Sequence, residues 1–139
     1  MESNIKNRKV LVFGTFDGIH DGHRFFLREA KKCGGELVVG VAKDGIVRKL
    51  KGALPDVPLP NRIRMLEAEG LADKVIPGDE NIGNWEIIKR ERPDVICLGY
   101  DQKELAVKLM KDLPTLDLKI EVVIIQDYKG DQLHNSLIN

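Results

Sequence analysis

The chain has 139 residues, 22 basic and 22 acidic, so its formal net charge is zero and no field of one sign favours nonspecific binding to nucleic acid or a membrane. Its length suits one domain, residues 1–139, burying roughly two thirds of the surface its unfolded chain exposes. No apolar run approaches the ~20 residues needed to cross a bilayer, and the polar start from Met1 to Lys9 lacks a secretion signal's hydrophobic core, which predicts a cytoplasmic location.

The first predicted element is a short buried strand, Lys9–Phe13, carrying Val10, Leu11, Val12 and Phe13. It runs into Gly14-Thr15-Phe16-Asp17-Gly18-Ile19-His20-Asp21-Gly22-His23, which sets two of the three histidines three positions apart. A helix is predicted over Gly22–Lys32, with Phe26, Leu27 and Ala30 on one side. The histidines therefore stand at a strand-to-helix turn. There the open backbone N–H groups of the first turn and the positive end of the helix dipole favour anions, and each imidazole adds a donor for a phosphate oxygen. Gly14, Gly18 and Gly22 allow the backbone to bend and a ligand to approach closely. The histidine spacing is not that of a helical zinc site, and no cysteine is near enough in sequence to complete a local metal set. The glycine intervals match neither the Walker pattern nor Gly-x-Gly-x-x-Gly.

Further strands are predicted at Glu36–Ala42, Lys74–Ile76, Asp94–Leu98 and Lys119–Ile125, and further helices at Pro60–Glu69, Asn84–Arg90 and Gln102–Asp112, with Gly70 as a C-cap. Val- and Ile-rich strands without polar alternation suit a parallel sheet covered on both faces. Gly45 to Pro60, with Arg48, Lys49, Lys51 and three prolines, is predicted to be a mobile basic loop beside the phosphate site, either a lid or a solvated charge run. Cys33 and Cys97 form neither a disulfide framework nor a Cys-x-x-Cys site and read as small semi-buried thiols.

Gly14-Thr15-Phe16-Asp17 followed by His20-Asp21-Gly22-His23 resembles the signature of the cytidylyltransferase-like nucleotidyltransferases, and Leu98-Gly99-Tyr100-Asp101-Gln102 resembles a block of their archaeal FAD synthase branch. The resemblance implies a Rossmann-like, doubly wound α/β fold with a parallel five-stranded sheet of order 3-2-1-4-5, which makes the first and fourth strands adjacent. Both motifs then face one crevice at the carboxyl ends of the strands. The implied reaction is transfer of AMP from ATP to FMN, giving FAD and pyrophosphate, by in-line attack without a covalent enzyme intermediate. A divalent metal, Mg²⁺, would accompany the nucleotide phosphates, no protein metal site is expected, and a homodimer is implied. Two other readings stay open: a CTP-dependent cytidylyltransferase acting on glycerol 3-phosphate or another small phosphorylated alcohol, and a nucleotide-binding module without turnover.

On this resemblance His20 and His23 serve the α- and β-phosphates, His23 being the candidate for stabilising the transition state, and Lys49 and Lys51 bind phosphate. Gly14, Thr15, Phe16, Asp21, Gly22, Asp101 and Tyr128 fall at nucleotide-contacting positions. Asp17, Arg62, Tyr100, Gln102 and Ser136 are secondary candidates: Asp17 to orient the turn or help hold the metal, Arg62 to reach a phosphate, Tyr100 and Gln102 to shape the base pocket. Asp101 and Gln102 equally suit a helix cap. The chain departs from its relatives at its carboxyl end, where an Ile-Ser-Ser/Thr-Thr-x-Ile-Arg pattern is reduced to Leu133-His134-Asn135-Ser136-Leu137-Ile138-Asn139 without the arginine.

Overall fold

The computed structural model describes residues 2–126. After a 3₁₀ turn at Glu2–Asn7 the chain alternates strands and helices: β1 (Lys9–Gly14), α1 (Asp21–Lys31), β2 (Glu36–Val41), α2 (Asp44–Lys51), α3 (Leu59–Glu69), β3 (Lys74–Pro77), α4 (Glu86–Glu91), β4 (Val95–Gly99), α5 (Lys103–Asp112) and β5 (Glu121–Ile125). All strand pairs are parallel and the order is β3-β2-β1-β4-β5, as the resemblance implied.

Alternation along the strands divides the core into two layers. Val10 and Val12 of β1, with Val39, Val41 and Cys97, pack against Leu27 and Ala30 of α1 and Leu66 of α3. Leu11, turned to the opposite face with Val38, Ile96 and Leu98, packs against Ile87 and Ile88 of α4 and Leu109 of α5. Helices α1 and α3 thus cover one face while α4 and α5 cover the other, and the winding reverses between β1 and β4, which pair directly (Val10 with Val95). A crevice at the carboxyl ends of those two strands follows from that reversal. Cys97 is fully buried, which raises its thiol pKa, and Cys33 is partly exposed.

One expectation fails. The stretch from Gly45 to Pro60 is not a single loop: residues 44–51 form the two-turn helix α2 and α3 already starts at Leu59, leaving 52–58 as the connection. The helix is explained by Asp44 in its first turn, Arg48, Lys49 and Lys51 in its last, the inward-turned Val47, and Gly52 in the left-handed conformation (φ 82°) as its C-terminal cap. Its charges obscure the short apolar repeat. Pro58 and Pro60 flank the start of α3, and Gly70 (φ 70°) ends it, as expected.

Candidate active site

The turn that follows β1 is organised by its own side chains. His20 is the N-cap of α1, its Nδ1 accepting from the Gly22 amide at 3.0 Å, while the Nδ1 of His23 accepts from the His20 amide at 3.2 Å. The imidazoles stack with centroids 3.8 Å apart and planes 29° from parallel. Two amides at the start of α1 are therefore satisfied by imidazole rather than left open for an anion. Because an Nδ1 that accepts cannot carry the proton of a neutral ring, Nε2 becomes the donor of each histidine. Burial and the neighbouring His20 push the His23 pKa below its ordinary value against the opposing pull of Asp101, and Lys51 and Arg24 push the same way as burial. The pair offers two aligned N–H donors carried by neutral rings.

The glycines serve these side chains. A Cβ on Gly14 would lie 2.4 Å from Cε2 of Phe16, and one on Gly22 would lie 2.9 Å from Cε1 of His20. Phe16 itself takes a positive φ of 52°, which turns its ring into the core, with its centroid 5.2 Å from that of His23. The ring is 4 % exposed, so Phe16 supports His23 from behind and offers little face to a ligand.

A cleft of about 1270 Å³ opens over the carboxyl ends of the strands. It is lined by Gly14, Thr15, Phe16, Asp17, His20, Gly22 and His23 after β1, by Lys51 of α2, and by Tyr100, Asp101 and Gln102 after β4. The two motifs recognised in the sequence do meet there. Gln102 joins them, its Oε1 accepting from the Gly99 amide at 2.8 Å and its Nε2 donating to the Phe13 carbonyl at 2.9 Å, so it fastens the end of β4 to the end of β1. Asp101 acts on His23 electrostatically from across this junction.

Three candidates stand apart from the cleft. Lys49 is exposed on α2 but does not line it, and Asp21, also exposed, pairs with Arg24 at 3.0 Å. Arg62 is the clearest departure from expectation: it is 0 % exposed, its Nε donating to the Val57 carbonyl (2.8 Å), one terminal nitrogen to the Thr15 carbonyl (2.7 Å) and the other to the Asp44 carboxylate (2.6 Å). Its guanidinium is an internal brace rather than a phosphate ligand, because every nitrogen is already engaged. Tyr128 and Ser136, with the carboxyl-terminal pattern, lie outside the described residues.

The carboxylate of Asp17 accepts from the amides of Asp56 and Val57, both at 2.8 Å, which holds it below the usual carboxylate range. Those bonds give it the turn-orienting role and leave it poorly suited to bind a metal. Among the described residues no group of three or more His, Cys, Asp or Glu side chains is placed to hold a metal ion. A hard divalent cation would therefore have to bring its own oxygen ligands, since the described residues build no cage for one.

Other lining residues carry no motif. The segment between β3 and α4 supplies Gly78, Asp79, Asn81, Ile82, Gly83 and Trp85, and α5 supplies Lys108. Asp79 fixes this segment by accepting from the Glu86 and Ile87 amides at 2.9 and 2.8 Å, and Trp85 (φ 57°) donates its ring N–H to Asp112 at 2.8 Å. Such residues are found only through contacts between distant parts of the chain.

Residues 11–130 match the family model described as cytidylyltransferase-like. The chain is 40 % identical to the FAD synthase of Pyrococcus abyssi over 131 residues, 94 % of this chain and 88 % of that protein. It is 42 % identical to the FAD synthase of Methanococcoides burtonii over 128 residues (92 % and 87 %), and 40 % identical to that of Thermococcus kodakarensis over 139 residues (99 % and 93 %). Among solved structures, the lipopolysaccharide core biosynthesis protein of Thermoplasma volcanium superposes with a TM-score of 0.81 at 34 % identity, covering 87 % of this chain and 98 % of that one. The pantothenate synthetase of Thermus thermophilus, at 15 % identity and a TM-score of 0.58 over 86 % of this chain and 55 % of that one, shares the fold alone. With the paired histidines at the β1–α1 turn and the 3-2-1-4-5 sheet, these matches establish that the chain belongs to the cytidylyltransferase-like family, on the branch of the archaeal FAD synthases.

Proposed function

We infer that the protein is a nucleotidyltransferase that moves AMP from ATP onto FMN, forming FAD and pyrophosphate. The observation that carries this reading is identity of about 40 % to FAD synthases over nearly the full length of both chains. A phosphate oxygen of FMN attacks the α-phosphorus of ATP, the new O–P bond forms as the bond to the β-phosphate oxygen breaks, and pyrophosphate departs. No protein nucleophile takes part, so catalysis consists of positioning and charge stabilisation.

In this proposal the Nε2–H groups of His20 and His23 donate to the oxygens on either side of the breaking bond. Neutral rings suit that task, since each keeps its donor while its Nδ1 holds the helix cap. Lys51 adds positive charge at the rim, and the backbone of Thr15 and Phe16 together with Asp101 face the nucleotide. Mg²⁺ bound to the triphosphate would neutralise charge that the chain's few cationic side chains at the cleft leave uncompensated. The reading also makes the protein cytoplasmic and a homodimer, the latter checked by light scattering.

The deciding assay combines the protein with Mg²⁺, either ATP or CTP, and either FMN or glycerol 3-phosphate, and measures pyrophosphate release and FAD. FAD formation from ATP and FMN is the expected result. Release only from CTP with glycerol 3-phosphate would reject FMN as acceptor, and silence in all four mixtures would reject an enzyme of this class.

No helix among the described residues is long and apolar enough to cross a membrane.

A further inference from the structure

The cleft extends in two directions from the histidine pair. One arm lies over β4 and β5, where Tyr100, Asp101 and Gln126 line it; the other lies over β2 and β3, bounded by α2 and the segment leading to α4. The second arm sets apolar side chains beside Lys51, Asp79 and Asn81. Ile46 and Leu50 stand on its α2 side, Ile82 opposite, and Trp85 and Ile87 within, while Ala42 and Gly78 at the strand ends add little bulk. Leu50 is 62 % exposed and Ile82 47 % exposed, and no other exposed large aliphatic residue lines the cleft among the described residues. Both belong to this arm.

Their exposure is not explained by folding. Helix α2 buries Val47, and its other outward positions at this end are the charged Arg48, Lys49 and Lys51, so Leu50 interrupts a charged surface where, with Lys51, it borders the cleft. Ile82 is likewise exposed, between Asn81 and Gly83, which also line the cleft. Two aliphatic side chains left in water at the cleft are what a flat, fused heteroaromatic ligand would cover, and what a small polyol phosphate would not use. Lys51 follows Leu50 directly and acts electrostatically on His23, so a ligand seated between Leu50 and Ile82 would carry its phosphate past Lys51 toward the histidines.

We propose that Leu50 and Ile82 form the two jaws of the acceptor subsite, gripping the isoalloxazine ring of FMN over β2 and β3 and so determining acceptor specificity. This rests on the reading of FMN as acceptor and adds which arm takes it and which side chains select it. Trp85 is the only tryptophan of the chain and lines the same arm, so a bound flavin, which absorbs where tryptophan emits, quenches its fluorescence without any turnover.

The test titrates FMN into the wild-type protein, Leu50→Glu and Ile82→Glu, following Trp85 emission, and measures KM for FMN and for ATP in each. Either substitution is expected to weaken quenching and raise KM for FMN about tenfold or more while KM for ATP stays within about twofold. The exchange Leu50→Ile should restore most of the FMN affinity lost in Leu50→Glu. Should a glutamate variant fail to fold, as judged by circular dichroism, Leu50→Ala with Ile82→Ala supplies the same comparison. A wild-type protein that makes FAD, with variants whose KM for FMN is unchanged or whose KM for ATP rises instead, overturns the subsite and leaves the activity standing. A wild-type protein that neither quenches with FMN nor makes FAD overturns both.

Discussion

The carboxylate of Asp17 holds the backbone amide of Val57 at 2.8 Å, across forty positions of sequence, and so couples the turn after β1 to the connection between α2 and α3. Its other oxygen takes the Asp56 amide at the same distance. The segment that positions α2, and with it Lys51 and Leu50, is thereby fastened to the turn that carries the histidines.

Replacing Asp17 with Ala should release that segment. Amide hydrogen exchange at Asp56 and Val57 is expected to accelerate while β1 amides stay protected, with KM rising severalfold and the melting temperature little changed. Protonating the carboxylate should loosen the same bonds: its pKa is lowered in the fold, so the stability it contributes is present above the unfolded carboxylate pKa and is lost as pH falls through the lowered value. Unchanged exchange at both amides in the Asp17→Ala variant would show that the segment is held by other contacts.

Arg62 performs the same coupling from inside. The Arg62→Met substitution keeps most of the volume but leaves the carbonyls of Thr15 and Val57 without their donor, a loss of about 3 kcal/mol in urea unfolding. Its ion pair with the half-exposed Asp44 should contribute little of that, because solvent screens it. Arg62→Lys should recover part of the loss, since an ammonium cannot reach all three acceptors at once.

The histidine pair separates capping from chemistry. His20→Asn should keep the helix start intact, because asparagine is among the best N-caps, and still lower kcat by about 10² to 10³ through loss of the Nε2 donor. His23→Asn is expected to cost at least as much, with near-native circular dichroism. A variant with near wild-type turnover at either position would remove that histidine from the proposed mechanism.

A pH profile checks the neutral state of His23. Its folded pKa is lowered, so between that value and the unfolded one of about 6.5 the unfolded chain binds a proton that the folded chain refuses. Its contribution to stability is therefore complete above about pH 6.5 and declines as pH falls below it. The acid limb of kcat/KM should also lie below that pH. A His23 resonance titrating above it would contradict the assignment of its Nδ1 as acceptor.

Gly14 and Gly22 should respond differently to alanine. At Gly14 the added methyl meets the buried Phe16 ring at 2.4 Å, which should reduce stability by about 1–3 kcal/mol. At Gly22 it meets the exposed His20 ring, which can move, so Gly22→Ala should lose kcat with little change in the unfolding midpoint.

Much of this protein was legible in its residues because the signals are local. Val10 to Phe13 and Leu37 to Val41 read as buried parallel strands from composition alone, and the histidine motif identified its own turn, since strand, cap and helix lie within two dozen consecutive positions. The resemblance carried by that motif and by Gly99 to Gln102 added the sheet order and the meeting of the two loops. Tertiary structure decided the rest. Helix α2 was hidden because Val47 finds its partners only in the folded chain; Arg62 read as a candidate to reach a phosphate until the carbonyls of Thr15 and Val57 closed around it; and only the fold shows that a side chain at Gly14 would meet the ring of Phe16. The arm lined by Leu50, Ile82 and Trp85 joins two segments, α2 and the stretch between β3 and α4, that no periodicity or spacing connects. Propensity and motif act over a few neighbouring residues, whereas burial and the satisfaction of polar groups depend on which distant segments the sheet brings together.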